Sequence, residues 1–99
     1  MKVSNLINNN GNPAPNQFVI TNNGGNLIYF QSYDSVIARY DKNSQKLYIS
    51  ELWNYSKTTS KHFYIFLEDY TCYRGNRKSV LENIANGTFA VVDEKFLAY

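Results

Sequence analysis

The chain is short of almost everything from which catalytic and metal sites are built. Its 99 residues include one cysteine, Cys72, and one histidine, His62. A lone cysteine forms no internal disulfide and no cysteine-rich zinc site, so a reducing compartment, the cytoplasm, is expected. The carboxylates Glu51, Glu68, Asp69, Asp93 and Glu94 are scattered without a recognised ligand spacing, and no metal or other cofactor is expected. Long apolar runs are missing, so no membrane span is expected. The start, Met1-Lys2-Val3-Ser4-Asn5, turns polar too early for a secretion signal. Charge is scarce as well, with ten basic and eight acidic residues and a net +2. That is too weak for a dedicated duplex-DNA binder and of the wrong sign for a DNA mimic. No glycine-rich loop leads into a helix to cradle phosphate; Gly24-Gly25 lies between two strand-like runs and marks a turn.

What remains is a chain that is 43% hydrophobic, long enough for one modest core and a single domain over 1–99. Asparagine recurs in runs, Asn8-Asn9-Asn10 and Asn22-Asn23, and there are nine tyrosines. Each tyrosine is a flat apolar ring with a polar tip, suited to half-buried surfaces and interfaces.

Residues 1–16 read as an N-terminal arm. Pro13 and Pro15 push the residues before them away from helix, while Val3, Leu6 and Ile7 suit one turn or a short strand. Between 17 and 50 two β-hairpins are predicted. Gln17–Thr21 and Asn26–Gln31 flank Asn22-Asn23-Gly24-Gly25, whose glycines supply the positive φ of a hairpin turn. Ser35–Tyr40 and Lys46–Ser50 flank a polar loop, and Leu47 and Ile49 alternate with Lys46, Tyr48 and Ser50. The period then changes. Phe63, Phe66, Leu67 and Tyr70 form one helical stripe, and Val80, Leu81, Ile84 and Ala85 a second, ended by Asn86-Gly87. The two helices occupy 56–86 and a final strand 88–92, followed by a short tail ending Phe96-Leu97-Ala98-Tyr99. The expected fold is therefore α+β: an antiparallel sheet of four to five strands in the order β-β-β-β-α-α-β, with both helices on one face.

One stretch gathers reactive-looking groups, Trp53-Asn54-Tyr55-Ser56-Lys57-Thr58-Thr59-Ser60-Lys61-His62-Phe63. A hydroxyl nucleophile needs a base within hydrogen-bond reach and a group to orient that base. No motif here fixes a nucleophile, whereas Ser56, Thr58 or Thr59 beside a helical stripe suits an N-cap, accepting a bond from an unpaired backbone N–H. An enzyme is not expected. Binding fits better. Tyr73-Arg74-Gly75-Asn76-Arg77-Lys78 is a local basic cluster beside an aromatic, able to stack on unpaired bases and contact phosphate. If the helices cover one sheet face, Tyr29, Tyr33, Tyr40 and Tyr48, with Trp53 and Tyr55 just beyond, make an aromatic patch on the other. Such a patch suits a protein partner or self-association.

Three stretches together carry a resemblance: Asn16–Ile20, Phe30–Ala38 and Trp53–Thr59, supported by Phe66-Leu67 and Ile84…Gly87-Thr88-Phe89. The chain resembles small uncharacterised proteins of phages and prophages in Gram-positive bacteria, over residues 16 to about 92. It departs from their pattern at Asn54, where aspartate is usual, and at His62, where tyrosine is usual. The resemblance implies a non-enzymatic protein in the host cytoplasm that binds and blocks a host protein or ribonucleoprotein complex. The most concrete form is an anti-CRISPR protein on a Cas effector. The alternative is a single-strand nucleic-acid-binding module using the same tyrosines and the Arg74/Arg77/Lys78 cluster.

Overall fold

A computed structural model describes residues 1–97. Its frame is one six-stranded sheet in which spatial order follows chain order. The strands are β1 (Lys2–Ile7), β2 (Pro13–Thr21), β3 (Leu27–Ser32), β4 (Ser35–Asp41), β5 (Lys46–Ser50) and β6 (Phe89–Val92). A 3-10 turn (Glu51–Asn54), helix α1 (Lys57–Tyr70) and helix α2 (Arg77–Ala85) connect β5 to β6. A second 3-10 turn spans Glu94–Leu97, and the predicted Ala98-Tyr99 end of the tail lies outside the described residues.

The fold is α+β as expected, but two details differ. Of the two options for the N-terminal arm the strand holds, as a sixth strand of the sheet: β1 pairs along β2, from Lys2 opposite Thr21 to Ile7 opposite Pro13. Only Leu6 of β1 is buried, so the strand has no alternating pattern to announce it. Pro13 and Pro15 are tolerated because β3 pairs with β2 only from Gln17 onward, leaving the proline segment unpaired on that side. The sheet is also mixed rather than antiparallel, with the order β-β-β-β-β-α-α-β. The first five strands form an antiparallel meander, whereas β6 runs parallel to β5, Leu47 opposite Phe89. The two helices carry the chain back along the sheet before β6 begins, and a crossover of that kind sets its strands parallel.

Local chemistry explains the elements. In the β2–β3 hairpin the Asn22 side-chain oxygen accepts from Leu27 N at 3.1 Å, and Gly25 takes φ +75°. Ser56 caps α1 by accepting from Thr59 N at 3.1 Å, and Asn76 caps α2 by accepting from Ser79 N at 2.9 Å. Register places Val19, Phe30, Ala38 and Ile49 in one row on the face beneath the helices. Phe63, Phe66 and Leu67 of α1 are fully buried there, and Phe66 stacks on Phe30 with centroids 5.6 Å apart. The second helix docks more narrowly than its sequence implies. Val80 is buried and Ile84 partly so, but Leu81 and Ala85 are exposed. On the other face the Glu94–Leu97 turn packs across β4 and β5, burying Leu97, and Arg39 Nη1 donates to the Phe96 carbonyl at 3.3 Å.

Candidate functional site

The apolar row beneath the helices gives way to a polar one at one end of the sheet. Gln17, Ser32 and Ser35 are successive register partners across β2, β3 and β4, on the same face as Val19 and Phe30. A bulge in β4 adds Ile37 beside Ala38 and keeps Ser35 on this face. Gln17 is 0% and Ser32 4% exposed, and neither side chain finds a hydrogen-bond partner among the described residues. Buried polar groups are nearly always paired, so two together mark the place as unusual.

Above this row is a cavity of about 350 Å³. One wall comes from the β3–β4 hairpin: Ser32, Tyr33, Ser35 and Ile37. The other comes from the junction between the first 3-10 turn and α1: Leu52, Tyr55, Ser56 and Thr59. Among the described residues no charged side chain lines it. The hairpin is held in an uncommon shape. Tyr33 has φ +54° and donates its N–H to the Asn16 carbonyl at 2.7 Å, while Asn16 has φ +62°. A left-handed tyrosine costs roughly 1–2 kcal/mol, which the surrounding bonds must offset. The Gln31 side-chain amide contributes by donating to the Tyr33 carbonyl at 2.7 Å. At the opposite wall Ser56 Oγ donates to Thr59 Oγ1 at 3.1 Å as well as capping the helix. His62 Nδ1 donates to the Thr58 carbonyl at 2.7 Å, an ordinary contact within the helix. Both hydroxyls and the imidazole are thus held in helix-start bonding.

The residues expected to bind are dispersed. Among the described tyrosines only Tyr33 and Tyr55 are exposed, at 57% and 80%, and both belong to this cavity. Tyr29 and Tyr48 share the face away from the helices, but Tyr29 is buried, and Tyr48 lies under the Arg39 guanidinium at 4.7 Å. Tyr40 does not join them. It points to the helix side, because it shares a face with Ile28 and Leu47, and its hydroxyl donates to Cys72 Sγ at 3.6 Å. Burial, with that bond second, pushes its phenol up to about 12. Trp53 is core, tilted against Phe63 and Tyr64.

The basic cluster also divides. The Tyr73 ring meets Phe89 edge-on at 4.9 Å and its hydroxyl donates to the Gln45 carbonyl at 2.7 Å, so this ring is packed into the fold. Burial raises its phenol too. Arg74, Arg77 and Lys78 are exposed. Arg77 borders a groove of about 510 Å³ along α1, lined by Lys57 and Lys61 and also by Glu68 and Asp69. Mixed charge of this kind does not make a phosphate track. Among the described residues no group of three or more His, Cys, Asp or Glu comes together to hold a metal ion.

The cavity itself was not legible in the sequence. Phe30–Ala38 and Trp53–Thr59 could be singled out separately, but nothing local shows that they face each other. The buried Gln17 and Ser32 carry no periodic signal either. The model of a family of unknown function, DUF8033, matches residues 1–83, which include every residue lining the cavity. No curated protein and no solved structure matches the chain.

Proposed function

We propose, for a chain that belongs to the DUF8033 family of unknown function, a role in binding rather than catalysis. It acts by occupying the surface of a partner, a protein or ribonucleoprotein complex, with the end of the molecule that carries Tyr33 and Tyr55. The observation that carries this reading is that the two exposed tyrosines among the described residues both flank one concavity. Aromatic anchors beside a pocket are the usual core of a recognition surface, because they bury much area while freezing few torsions. The Ser56 and Thr59 hydroxyls and His62, which a hydrolase would need free, are engaged in capping and helix bonds. The resemblance to phage and prophage proteins supports the concrete form of the proposal: an inhibitor of a host complex, a Cas effector in the first instance.

The test is capture of partners from host lysate by the full chain and two variants. Tyr33→Ala/Tyr55→Ala is expected to weaken capture about tenfold or more, and Arg74→Ala/Arg77→Ala/Lys78→Ala to leave it intact at raised salt. Loss in the triple variant with steep salt dependence would instead establish the nucleic-acid-binding alternative. Addition of the chain to a purified effector–guide complex is expected to stop target cleavage. Unimpaired cleavage removes the effector as the target.

A further inference from the structure

We propose that the cavity between the β3–β4 hairpin and the start of α1 is a binding site for an uncharged planar heterocycle, a nucleobase or nucleoside. Three independent observations specify that chemistry. First, the lining is polar without being charged: Ser32, Ser35, Ser56 and Thr59 each bring a hydroxyl, a group that both donates and accepts, and the Ser32 hydroxyl has no partner among the described residues. Its register neighbour Gln17 is equally unpartnered in the same row but does not itself line the cavity. A ligand edge carrying a donor and an acceptor complements such a lining of hydroxyls, as a hydrocarbon would not. Second, the lip carries two exposed phenol rings, one from each wall, and every base has a π-face on which a ring can stack. Third, among the described residues no charged side chain lines the cavity to compensate a phosphate or carboxylate. A volume of about 350 Å³ lies at the lower end of small-molecule sites, which hold roughly 300–1,000 Å³. Ile37 and Leu52 supply apolar wall.

The left-handed backbone at Tyr33 and Asn16 fits the same reading. It keeps the hairpin in one shape, with the Tyr33 ring presented before any ligand arrives. The inference rests on the preceding proposal only in placing recognition at this end of the molecule. The heterocycle can reach the site as a free nucleoside or as an unpaired base of a ribonucleoprotein, and the experiment separates these sources.

Isotope-labelled full-length chain is titrated with each of the four ribonucleosides, with a short single-stranded oligoribonucleotide, and with neutral monosaccharides, while backbone amide shifts are followed by NMR. At least one nucleoside is expected to give saturable shifts confined to 32–37 and 52–59. Tyr55→Ala, at a position too exposed to disturb the fold, and Ser32→Ala are each expected to weaken binding about tenfold. Adding a 5′-phosphate is expected to bring no gain in affinity. Tighter binding of the oligonucleotide assigns the source to a strand, and equal binding assigns it to the free nucleoside. Absence of saturable shifts with nucleosides and oligonucleotide alike, shifts elsewhere on the surface, or a monosaccharide in their place overturns the inference. The titration involves no partner protein. It can therefore fail while tyrosine-dependent capture succeeds, or succeed while capture fails, and the two proposals stand or fall separately.

Discussion

Gln17 is the residue whose presence needs most explaining. Its side chain is fully buried and both amide atoms lack a partner among the described residues. Leaving such groups unmade costs roughly 1–3 kcal/mol, while an apolar side chain of similar shape avoids that cost. Gln17→Met is therefore expected to raise stability by about 1 kcal/mol, read as a higher urea midpoint at unchanged slope. A lower midpoint would mean that the amide is satisfied in solution. Ser56 is the opposite case, a polar side chain fully used. Removing its cap by Ser56→Ala is expected to cost about 1 kcal/mol, measured by thermal unfolding. Thr58→Ala, on an exposed first-turn residue, is expected to cost less.

Among the elements, the corner between α1 and α2 has the tightest requirement. A Cβ on Gly75 would lie 2.0 Å from the Tyr64 carbonyl oxygen, a backbone atom that cannot swing away, and the Gly75 N–H donates to Glu68 Oε2 at 2.7 Å. Gly75→Ala is expected to destabilise by about 2 kcal/mol or more, seen in the same denaturation series, because the second helix must shift off the first. The β2–β3 turn has no such contact at Gly25, where only the positive φ favours glycine. Strands β2 to β6 and both helices were legible because each has its own period, turn or stop signals. β1 was legible only as one option for Val3, Leu6 and Ile7, since one buried residue in six makes no pattern. The narrow docking of α2 was equally hidden: a stripe of four apolar residues does not say which of them finds a neighbour.

For the whole molecule, the buried phenols give a pH limit. Tyr40 is raised from 10.0 to about 12, chiefly by burial and then by its bond to Cys72, and Tyr73 is raised by burial. In the unfolded chain these phenols ionise near pH 10. Their protonated forms therefore favour the fold fully below about pH 10, and that contribution is lost as pH rises from about 10 towards 12. The urea midpoint is expected to fall across that window. Tyr40→Phe, which cannot ionise, is expected to fall less steeply once its own midpoint at neutral pH is taken as reference.

The residues by themselves determined the α+β class, the hairpins, the capped start of α1 and the scarcity of catalytic or metal-binding groups, because period, caps and turn residues act over a few positions. Only the tertiary structure decided that β6 lies parallel beside β5, that Tyr40, Trp53 and Tyr73 serve the core, and that two separate signature stretches enclose one cavity. Those outcomes depend on strand register and on the path of the crossover helices. Both are set by burial of side chains distant in sequence, which no local pattern encodes.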